Sequence, residues 1–261
     1  MSGMQLQAAG VEIDGRWLVE GASLDLQPGC LTVLVGLNGS GKTTLLRLLA
    51  GLWSPSKGKV VLNGREISSI PRRELARHVS YVPQDTHLGF AFTVRDVVMM
   101  GRHPHLGRFE REREQDRRSV EEAMRRADVV GLADRLVTEI SGGERQRVII
   151  ARSLATEASA ILLDEPTANL DIAHVLDVLN LCRRLAGEGK VIVIATHDLN
   201  AAARYADQIV LLQSGRIVAS GAPSDVITDS AIREIFGVQI ERAVSAKGES
   251  AYLFRRSTND G

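Results

Sequence analysis

Gly36-Leu37-Asn38-Gly39-Ser40-Gly41-Lys42-Thr43 decides the fold of this chain, and it directly follows the short apolar run Leu31-Thr32-Val33-Leu34-Val35. The octapeptide fits the phosphate-binding pattern G-x-x-x-x-G-K-[ST] at every fixed position. Its three glycines let the backbone curl so that several N–H groups face one concavity, and the helix that begins there adds the positive end of its dipole. We therefore expect a buried strand, an anion-binding loop and then a Leu-rich helix from Lys42 to Leu52.

Lys42 and Thr43, the last two residues of this loop, are suited to bind the phosphates of a polyphosphate and its metal ion. Lys42 can reach the β- and γ-phosphates, and the Thr43 hydroxyl suits Mg²⁺ because that ion prefers hard oxygen ligands. A glycine-rich turn that binds nothing is the alternative, and a Lys and a Thr in register behind a strand disfavour it. The residues expected at the phosphates are Gly36, Asn38, Gly39, Ser40, Gly41, Lys42, Thr43 and Thr44.

Acidic and imidazole side chains follow two further apolar runs. Asp164 and Glu165 end Ile161-Leu162-Leu163, and a strand end in an open parallel sheet points into the ligand crevice. We expect Asp164 to hold the Mg²⁺ shell through water and Glu165 to orient or deprotonate the attacking water. Solvated acids near a helix N-cap are the alternative.

His197 ends the next apolar strand, beside Asp164, and is expected to contact the γ-phosphate, although a lone histidine is more often structural. Gln84, after the strand-like Val79-Ser80-Tyr81-Val82-Pro83, offers an amide able to bind both water and metal, which is a weak signal by itself. Ser141-Gly142-Gly143 before Glu144 predicts an N-cap with exposed amides, and so a second place for phosphate. Alone it could be an ordinary helix start. Two such half-sites suggest a nucleotide bound between two copies of the protein.

Composition argues against several classes of protein. Lys plus Arg and Asp plus Glu both number 32 in 261 residues, so there is no basic excess for bulk nucleic-acid binding, which leaves a local basic patch open. Cys30 and Cys182 match neither a metal site nor a disulfide framework, and we expect two buried thiols in a reducing cytosol. No secretion signal is visible, and no apolar run approaches the roughly 18 residues that span a bilayer. Any membrane role is therefore expected to act through a partner.

The order of patterns predicts an α/β fold. Asp14-Gly15, Asn63-Gly64 and Ser214-Gly215 each indicate a hairpin, and apolar strands at 160–163 and 191–195 flank a helical stretch from His174 to Ala186. Residues 93–136 favour helix, with seven Arg and six acidic residues between 108 and 126. That block is either a solvated face or a docking surface of a helical subdomain. A short helix is expected at Asp229 to Phe236, and residues beyond about 240 indicate little.

Taken together, these motifs resemble an ABC-type ATPase subunit, in order and over nearly the whole chain. The matching segments are Gly36–Thr43 (Walker A), Gln84 (Q-loop), Ser141–Gln146 (signature), Ile161–Glu165 (Walker B), Ala168–Asp171 (D-loop) and His197 (switch histidine). The resemblance implies a P-loop NTPase core with a mostly parallel sheet, an N-terminal antiparallel β subdomain and an inserted helical subdomain. It places residues 1–240 in one ATPase domain, about 86–155 in the helical subdomain and 241–261 in a short extension.

The same resemblance implies a composite site in a head-to-tail homodimer. Ser141, Gly142 and Gly143 would contact the γ-phosphate held by the partner's Walker A loop, and Asp171 would communicate across the interface. Glu165, His197, Gln84 and Lys42 form the implied catalytic set, and Thr43, Gln84 and Asp164 the implied Mg²⁺ ligands. Two departures stand out. Ile140 replaces the usual Leu before the signature. The first hairpin has Val11 and Ile13 where the family often has an adenine-stacking aromatic, so Trp17 is the candidate substitute, and a surface or core Trp is the alternative.

Finer similarity points to import. Met100-Gly101-Arg102-His103-Pro104-His105 and the stretch 197–207 are similar to the ATPases of iron-siderophore, haem and cobalamin importers. This implies polytopic permease partners gripped by about Thr86 to Arg108, an indirect link to a substrate-binding protein, no nucleic acid, and a peripheral position on the cytoplasmic face of the inner membrane. His103 and His105 make a weak metal site. The alternatives are an ABC-type ATPase acting on nucleic acid, ribosomes or a metal-cluster scaffold, and a module that holds ATP without hydrolysis, which Glu165 and His197 disfavour.

Overall fold

A six-stranded, mostly parallel sheet forms the centre of the computed structural model, which describes residues 3–84, 90–107, 110–244 and 250–256. The strands are β1 (Met4–Ile13), β2 (Arg16–Leu26), β3 (Leu31–Val35), β4 (Lys57–Leu62), β5 (Arg65–Glu66), β6 (Val79–Val82), β7 (Ala160–Asp164), β8 (Val191–Thr196), β9 (Gln208–Gln213), β10 (Arg216–Gly221), β11 (Val238–Val244) and β12 (Ser250–Arg256). The helices are α1 (Lys42–Leu49), α2 (Arg72–His78), α3 (Val94–Met99), α4 (Glu114–Arg126), α5 (Gly142–Ala155), α6 (Ile172–Gly187), α7 (Leu199–Tyr205), α8 (Pro223–Val226) and α9 (Asp229–Phe236).

The central sheet has the order β10-β9-β3-β8-β7-β6, and only the edge strand β10 runs antiparallel to its neighbour. β3, β7 and β8 are buried along their whole length, as expected of parallel strands covered on both faces. Alternate residues of β3 face two cores. Val33 and Val35 pack on the side of the helical region, and Leu34 packs with α1 and the N-terminal sheet. The predicted α/β fold with a mostly parallel core is confirmed.

The second sheet is antiparallel, in the order β2-β1-β4-β5, and confirms the expected N-terminal β region. Tight turns join its hairpins, and a similar turn joins β9 to β10. Both central residues of each turn have positive φ, as a type I′ turn requires. These pairs are Asp14 and Gly15, Asn63 and Gly64, and Ser214 and Gly215. The residues that indicated hairpins in the sequence are therefore the ones that make the turns.

Helices α3, α4 and α5 lie between β6 and β7 in the chain and confirm the inserted helical region. A capping box at Thr93 and Asp96 opens α3. Gly101 follows that helix and lies so close to α5 that an added Cβ would collide with the Arg152 carbonyl oxygen. The segment after α3 is therefore held against the C-terminal half of α5.

The charge block of residues 108–126 is mostly a solvated face, but one of its acids is buried. Asp116 lies in the first turn of α4, where Oδ1 accepts a 3.0 Å bond from Arg102 Nε and Oδ2 accepts one from the Arg113 backbone N–H. Arg102 is also buried, and its Nη1 donates to the Ala155 carbonyl and contacts Glu157. Residues 108 and 109 of the block lie outside the described residues.

Three expectations need correction. α1 ends at Leu49 rather than Leu52, because Gly51 adopts a left-handed conformation at φ 66° and turns the chain away. Cys30 is only half-buried, because it leads into β3 from the exposed turn at Gly29. The stretch after residue 240, which indicated little, completes β11 and contributes β12; Asn200 holds this hairpin against α7 by exchanging bonds with the Tyr252 backbone. Within the described ranges, no helix combines the length and apolarity needed to cross a membrane.

Candidate functional site

An open cleft of about 1190 Å³ lies at the carboxyl ends of the parallel strands. It is lined by residues 36–44 after β3, Gln84 after β6, Asp164 and Glu165 at the end of β7, and His197 after β8. Parallel strands end at the same edge of a sheet, which is where open α/β sheets bind ligands. The structure thus brings together every predicted site residue of the loop, the two carboxylates, the glutamine and the histidine.

The phosphate loop needs its glycines for space as well as conformation. A Cβ at Gly36 would collide with the Leu212 carbonyl oxygen and lie 2.5 Å from Ser40 Oγ. Gly41 caps α1 at φ 105°, where a Cβ would lie 2.9 Å from the Leu18 carbonyl oxygen. The loop is therefore enclosed by β9 and by the backbone of β2.

Lys42, Glu165 and His197 form a chain of contacts across the cleft. Lys42 Nζ donates to the Gly36 carbonyl at 2.7 Å and lies 3.9 Å from Glu165 Oε1, while Glu165 Oε2 lies 3.0 Å from His197 Nδ1. Lys42 and Glu165 are nearly buried, at 7% and 9% exposed, whereas the His197 side chain is 68% exposed. Burial lowers the pKa of Lys42, and the carboxylates of Glu165 and Asp164 partly oppose that shift. The exposed histidine ring therefore stands over a nearly buried carboxylate.

Glu165 is held by its backbone as well. Its φ is 48°, a left-handed conformation that is uncommon outside glycine, and its N–H donates to the Ala195 carbonyl of β8 at 2.9 Å. The chain therefore turns sharply straight after Asp164, so that two consecutive carboxylates point in different directions. Strained backbone of this kind is concentrated at functional sites.

Two buried oxygens in the cleft lack partners among the described residues. Tyr81 Oη donates to Asp164 Oδ2 at 3.1 Å, but Asp164 Oδ1 has no partner, and neither has Ser40 Oγ. An unpaired buried polar atom is costly, so these atoms favour a ligand that supplies the missing contacts. One carboxylate, the Thr43 hydroxyl and the Gln84 amide are the oxygen donors that Mg²⁺ takes alongside phosphates. The donor set therefore fits that ion with a polyphosphate.

The second predicted phosphate site lies elsewhere on the chain. Ser141 caps α5 through a capping box with Glu144, with Ser141 Oγ accepting from the Glu144 N–H at 3.2 Å. Ser141 and Gly142 are exposed, and Asp171 is the exposed N-cap of α6. None of the residues 141–143, nor Asp171, belongs to the set that lines the cleft. A single chain thus carries both predicted half-sites but does not join them.

Trp17, the candidate for the missing aromatic, lines the cleft, while Val11 is buried in the core and Ile13 does not line the cleft. Other residues of the lining were not predicted: Arg16, Leu18, Ser214, Gly215 and Phe236, which is a second aromatic. Tyr81, which holds Asp164, was also missed, although its position three residues before Gln84 was a usable signal.

The histidines after α3 do not form a metal site. His105 Nε2 pairs with the Thr156 carbonyl at 2.9 Å, and the described residues contain no group of three or more His, Cys, Asp or Glu suited to a metal ion. Of the segment 86–108 expected to grip a permease, residues 86–89 and 108 lie outside the described residues. The described part exposes Phe90 and Phe92, whose rings are 6.1 Å apart.

Comparison with known proteins gives consistent matches. Residues 19–168 match the family described as ABC transporter. The hemin import ATP-binding protein of Rhizobium meliloti is 40% identical over 255 residues, which cover 95% of this chain and 96% of that protein. The cobalamin import ATP-binding protein of Halobacterium salinarum is 43% identical over 231 residues, which cover 88% of this chain but 58% of that longer protein. A solved structure described as a metal-chelate type ABC transporter in an inward-facing conformation aligns with a TM-score of 0.87 at 28% identity, covering 98% of both chains.

Proposed function

This chain belongs to the ABC transporter family, and on that premise we propose that it is the ATP-hydrolysing subunit of an importer. The observation that carries the proposal is the contact chain Lys42–Glu165–His197 at the mouth of a phosphate-binding loop. The anion nest and Lys42 bind the β- and γ-phosphates, and Trp17 offers an aromatic face for the base. Nothing in this arrangement calls for a covalent intermediate.

Hydrolysis follows from the placement of Glu165. Its carboxylate orients a water molecule in line with the γ-phosphate and takes the proton as the water oxygen bonds to phosphorus and ADP leaves. His197 fixes Glu165 Oε2 through Nδ1 and presents the exposed edge of its ring to the γ-phosphate. Thr43, Gln84 and Asp164 would hold Mg²⁺, which when bound neutralises charge on the phosphates. Tyr81 keeps the Asp164 carboxylate in one orientation.

The separated half-sites support a dimer as the active form. The phosphate loop lies in the cleft, whereas Ser141, Gly142 and Gly143, at the start of α5, do not line it. In a head-to-tail pair of chains, each γ-phosphate would meet the backbone N–H groups at the start of the partner's α5, where Ser141 and Gly142 are exposed, and Asp171 would lie at the interface. ATP would then hold the two copies together, and hydrolysis would release them, which shifts the permease between two states.

Cargo and location come from the relatives. We assign an iron chelate (a siderophore or haem) or cobalamin as cargo, because two similar proteins are described as hemin and cobalamin import subunits. The chain would act at the cytoplasmic face of the inner membrane, bound to polytopic permease subunits that work with a substrate-binding protein. We retain residues 1–240 as the ATPase domain, with its helical subdomain at about 86–155, and 241–261 as an extension. Cleavage after residue 240 with retained turnover would support that division.

Affinity isolation tests the transport role. The tagged chain is purified from gently solubilised native membranes, and the co-purifying proteins are identified by mass spectrometry. A polytopic permease of the metal-chelate type is expected. Recovery with ribosomes, nucleic acid or a metal-cluster scaffold, and without a permease, would overturn transport and favour the non-transport alternative. Phosphate release by the purified chain tests hydrolysis separately, because a module that only holds ATP would release none.

A further inference from the structure

The two elements that carry the second half-site begin side by side, and His174 lies between them. Gly143 is in the first turn of α5 and His174 is in the first turn of α6. A Cβ added at Gly143 would lie 2.6 Å from His174 Cγ and 2.9 Å from Nδ1, so the imidazole packs directly on the glycine backbone. Any larger residue at position 143 would displace the ring.

His174 is also bonded twice to Asp171. Its backbone N–H donates to Asp171 Oδ1 at 3.0 Å, which is the helix cap, and its Nδ1 contacts Oδ2 at 2.7 Å. These bonds lower the pKa of Asp171, with the backbone bond from His174 as the largest cause. The carboxylate is therefore an acceptor for both bonds, and Nδ1 carries the donated hydrogen. One edge of the ring is fixed on Asp171 while the ring rests on Gly143.

A second contact keeps the two helices together. Arg147, one turn further along α5, lies 3.8 Å from Asp177 on α6. The Arg147 side chain is 15% exposed and the His174 side chain 28% exposed, whereas their partners Asp177 and Asp171 are 60% and 65% exposed, so each contact has one side shielded from solvent. The start of α5 and the start of α6 are therefore linked by side chains on successive turns, with His174 nearest the exposed ends.

We propose that His174 is a positioning residue that fixes the Ser141–Gly143 turn and the Asp171 loop in one arrangement for binding to the second copy of the chain. This inference rests on the proposed function, because it requires a composite site between two chains. His174 does not line the cleft that holds the chain's own phosphate loop. Loss of the His174 side chain therefore weakens binding to the second copy of the chain and leaves ATP binding at the chain's own phosphate loop intact. A residue with a purely stabilising role would not separate the two properties.

The test measures ATP-dependent dimerisation by sedimentation velocity. Glu165→Gln serves as the background so that ATP is not consumed, and His174→Ala, His174→Asn and Asn180→Ala are added singly. The cap bond to Asp171 survives every change because it uses the backbone N–H. Asn180, exposed further along α6, provides the matched control. We expect His174→Ala to raise the dimer dissociation constant at least tenfold while monomer affinity for ATP changes less than twofold. His174→Asn, whose amide can replace Nδ1 as donor, should recover most of the loss.

The outcomes separate the inference from the function on which it rests. Equal dimerisation of His174→Ala and the background, or an equal loss in Asn180→Ala, would overturn the role of His174 and leave the composite site intact. A background protein that shows no ATP-dependent dimer would overturn the composite site, and the inference with it. When Glu165 is left unsubstituted, the specific ATPase activity of the His174→Ala variant should rise with protein concentration. An activity loss independent of concentration would contradict the proposal, because weakened dimerisation is reversed by mass action.

Discussion

Replacing Glu165 with glutamine removes the proton acceptor from the cleft and changes little else in shape. The side chain is 9% exposed, 3.0 Å from His197 Nδ1 and 3.9 Å from Lys42 Nζ. A glutamine oxygen can still accept from His197, but an amide cannot take a proton from water. General-base catalysis contributes typically about 10²- to 10⁴-fold, which at about 1.36 kcal/mol per tenfold corresponds to roughly 2.7–5.4 kcal/mol of activation free energy. We expect turnover to fall by that factor while ATP binding persists and the dimer accumulates.

Three measurements check this prediction on the same protein. Phosphate release at saturating ATP and Mg²⁺ gives the turnover number, equilibrium binding gives the ATP affinity, and size-exclusion chromatography gives the dimer fraction. Glu74→Gln is the matched control, because Glu74 is a half-buried acid paired with Arg65 at 2.6 Å and does not line the cleft. Turnover within tenfold of the unsubstituted protein, with an unchanged melting temperature, would refute the role of Glu165. An equal loss in the control would point to a nonspecific effect.

Further predictions concern space, buried charge and thiol reactivity. Gly36→Ala should weaken ATP binding at least about tenfold, as measured by calorimetry, because the added Cβ would collide with backbone atoms. A tenfold loss of affinity corresponds to only about 1.4 kcal/mol of binding free energy. Asp116→Asn should lower the free energy of unfolding, measured in urea, by about 3 kcal/mol. This is the low end of the range for breaking a buried ion pair, because Arg102 keeps its contact with Glu157. Burial raises the pKa of Cys182 to about 12, so at pH 8 it should stay a thiol and react with Ellman's reagent only after unfolding, while half-buried Cys30 reacts first.

Each of these expectations has its own control. Gly131→Ala adds a Cβ where no atom lies within 4 Å, so an equal loss of ATP affinity there would contradict the steric argument at Gly36. Glu114→Gln breaks the exposed pair with Arg118 and should cost under about 1 kcal/mol, and a similarly small cost at Asp116 would contradict its buried role. Rapid labelling of both thiols in the native protein would disagree with the burial of Cys182.

Acid should also weaken the Asp116 contact. Burial acts to raise the pKa of this carboxyl, but the Arg113 backbone bond and the Arg102 guanidinium outweigh it, so the net pKa is lowered. A carboxyl whose pKa is lowered by folding stabilises the fold fully above its unfolded pKa, near about 3.9, and loses that contribution as pH falls through the folded value. The difference in stability between the unsubstituted protein and Asp116→Asn should therefore shrink below about pH 4.

The sequence predicted the fold well where local signals and burial agree. Continuous apolar runs became the buried strands β3, β7 and β8, and every pair that indicated a hairpin adopted positive φ. The hairpin β11–β12 was missed because distant contacts hold it. Asn200 bonds to the Tyr252 backbone, and the Ile240 N–H donates to Asp229. The described residues of this hairpin, 238–244 and 250–256, contain no sequence pattern that indicates a turn.

The sequence predicted the motif residues of the candidate site but not the other residues that line the cleft. The phosphate loop, Glu165 and His197 follow strands whose parallel arrangement puts them at one edge, so spacing was enough. Arg16 and Phe236 reach the cleft from the two ends of the chain, and no local pattern marks them. Likewise, Asp116 stands among similar charged residues, and only its packing against Arg102 separates it from its exposed neighbours. The roles given to individual side chains stay predictions for the experiments above.

The position of β3 has a consequence for synthesis on the ribosome. This strand carries the phosphate loop, yet its sheet neighbours are β8 and β9, which begin at Val191 and Gln208. While the intervening stretch of chain is being made, the apolar β3 has neither partner and is exposed to misfolding and to chaperones. A nascent chain stalled before Val191 should therefore not retain ATP, and nucleotide binding should begin only once β9 has emerged from the exit tunnel.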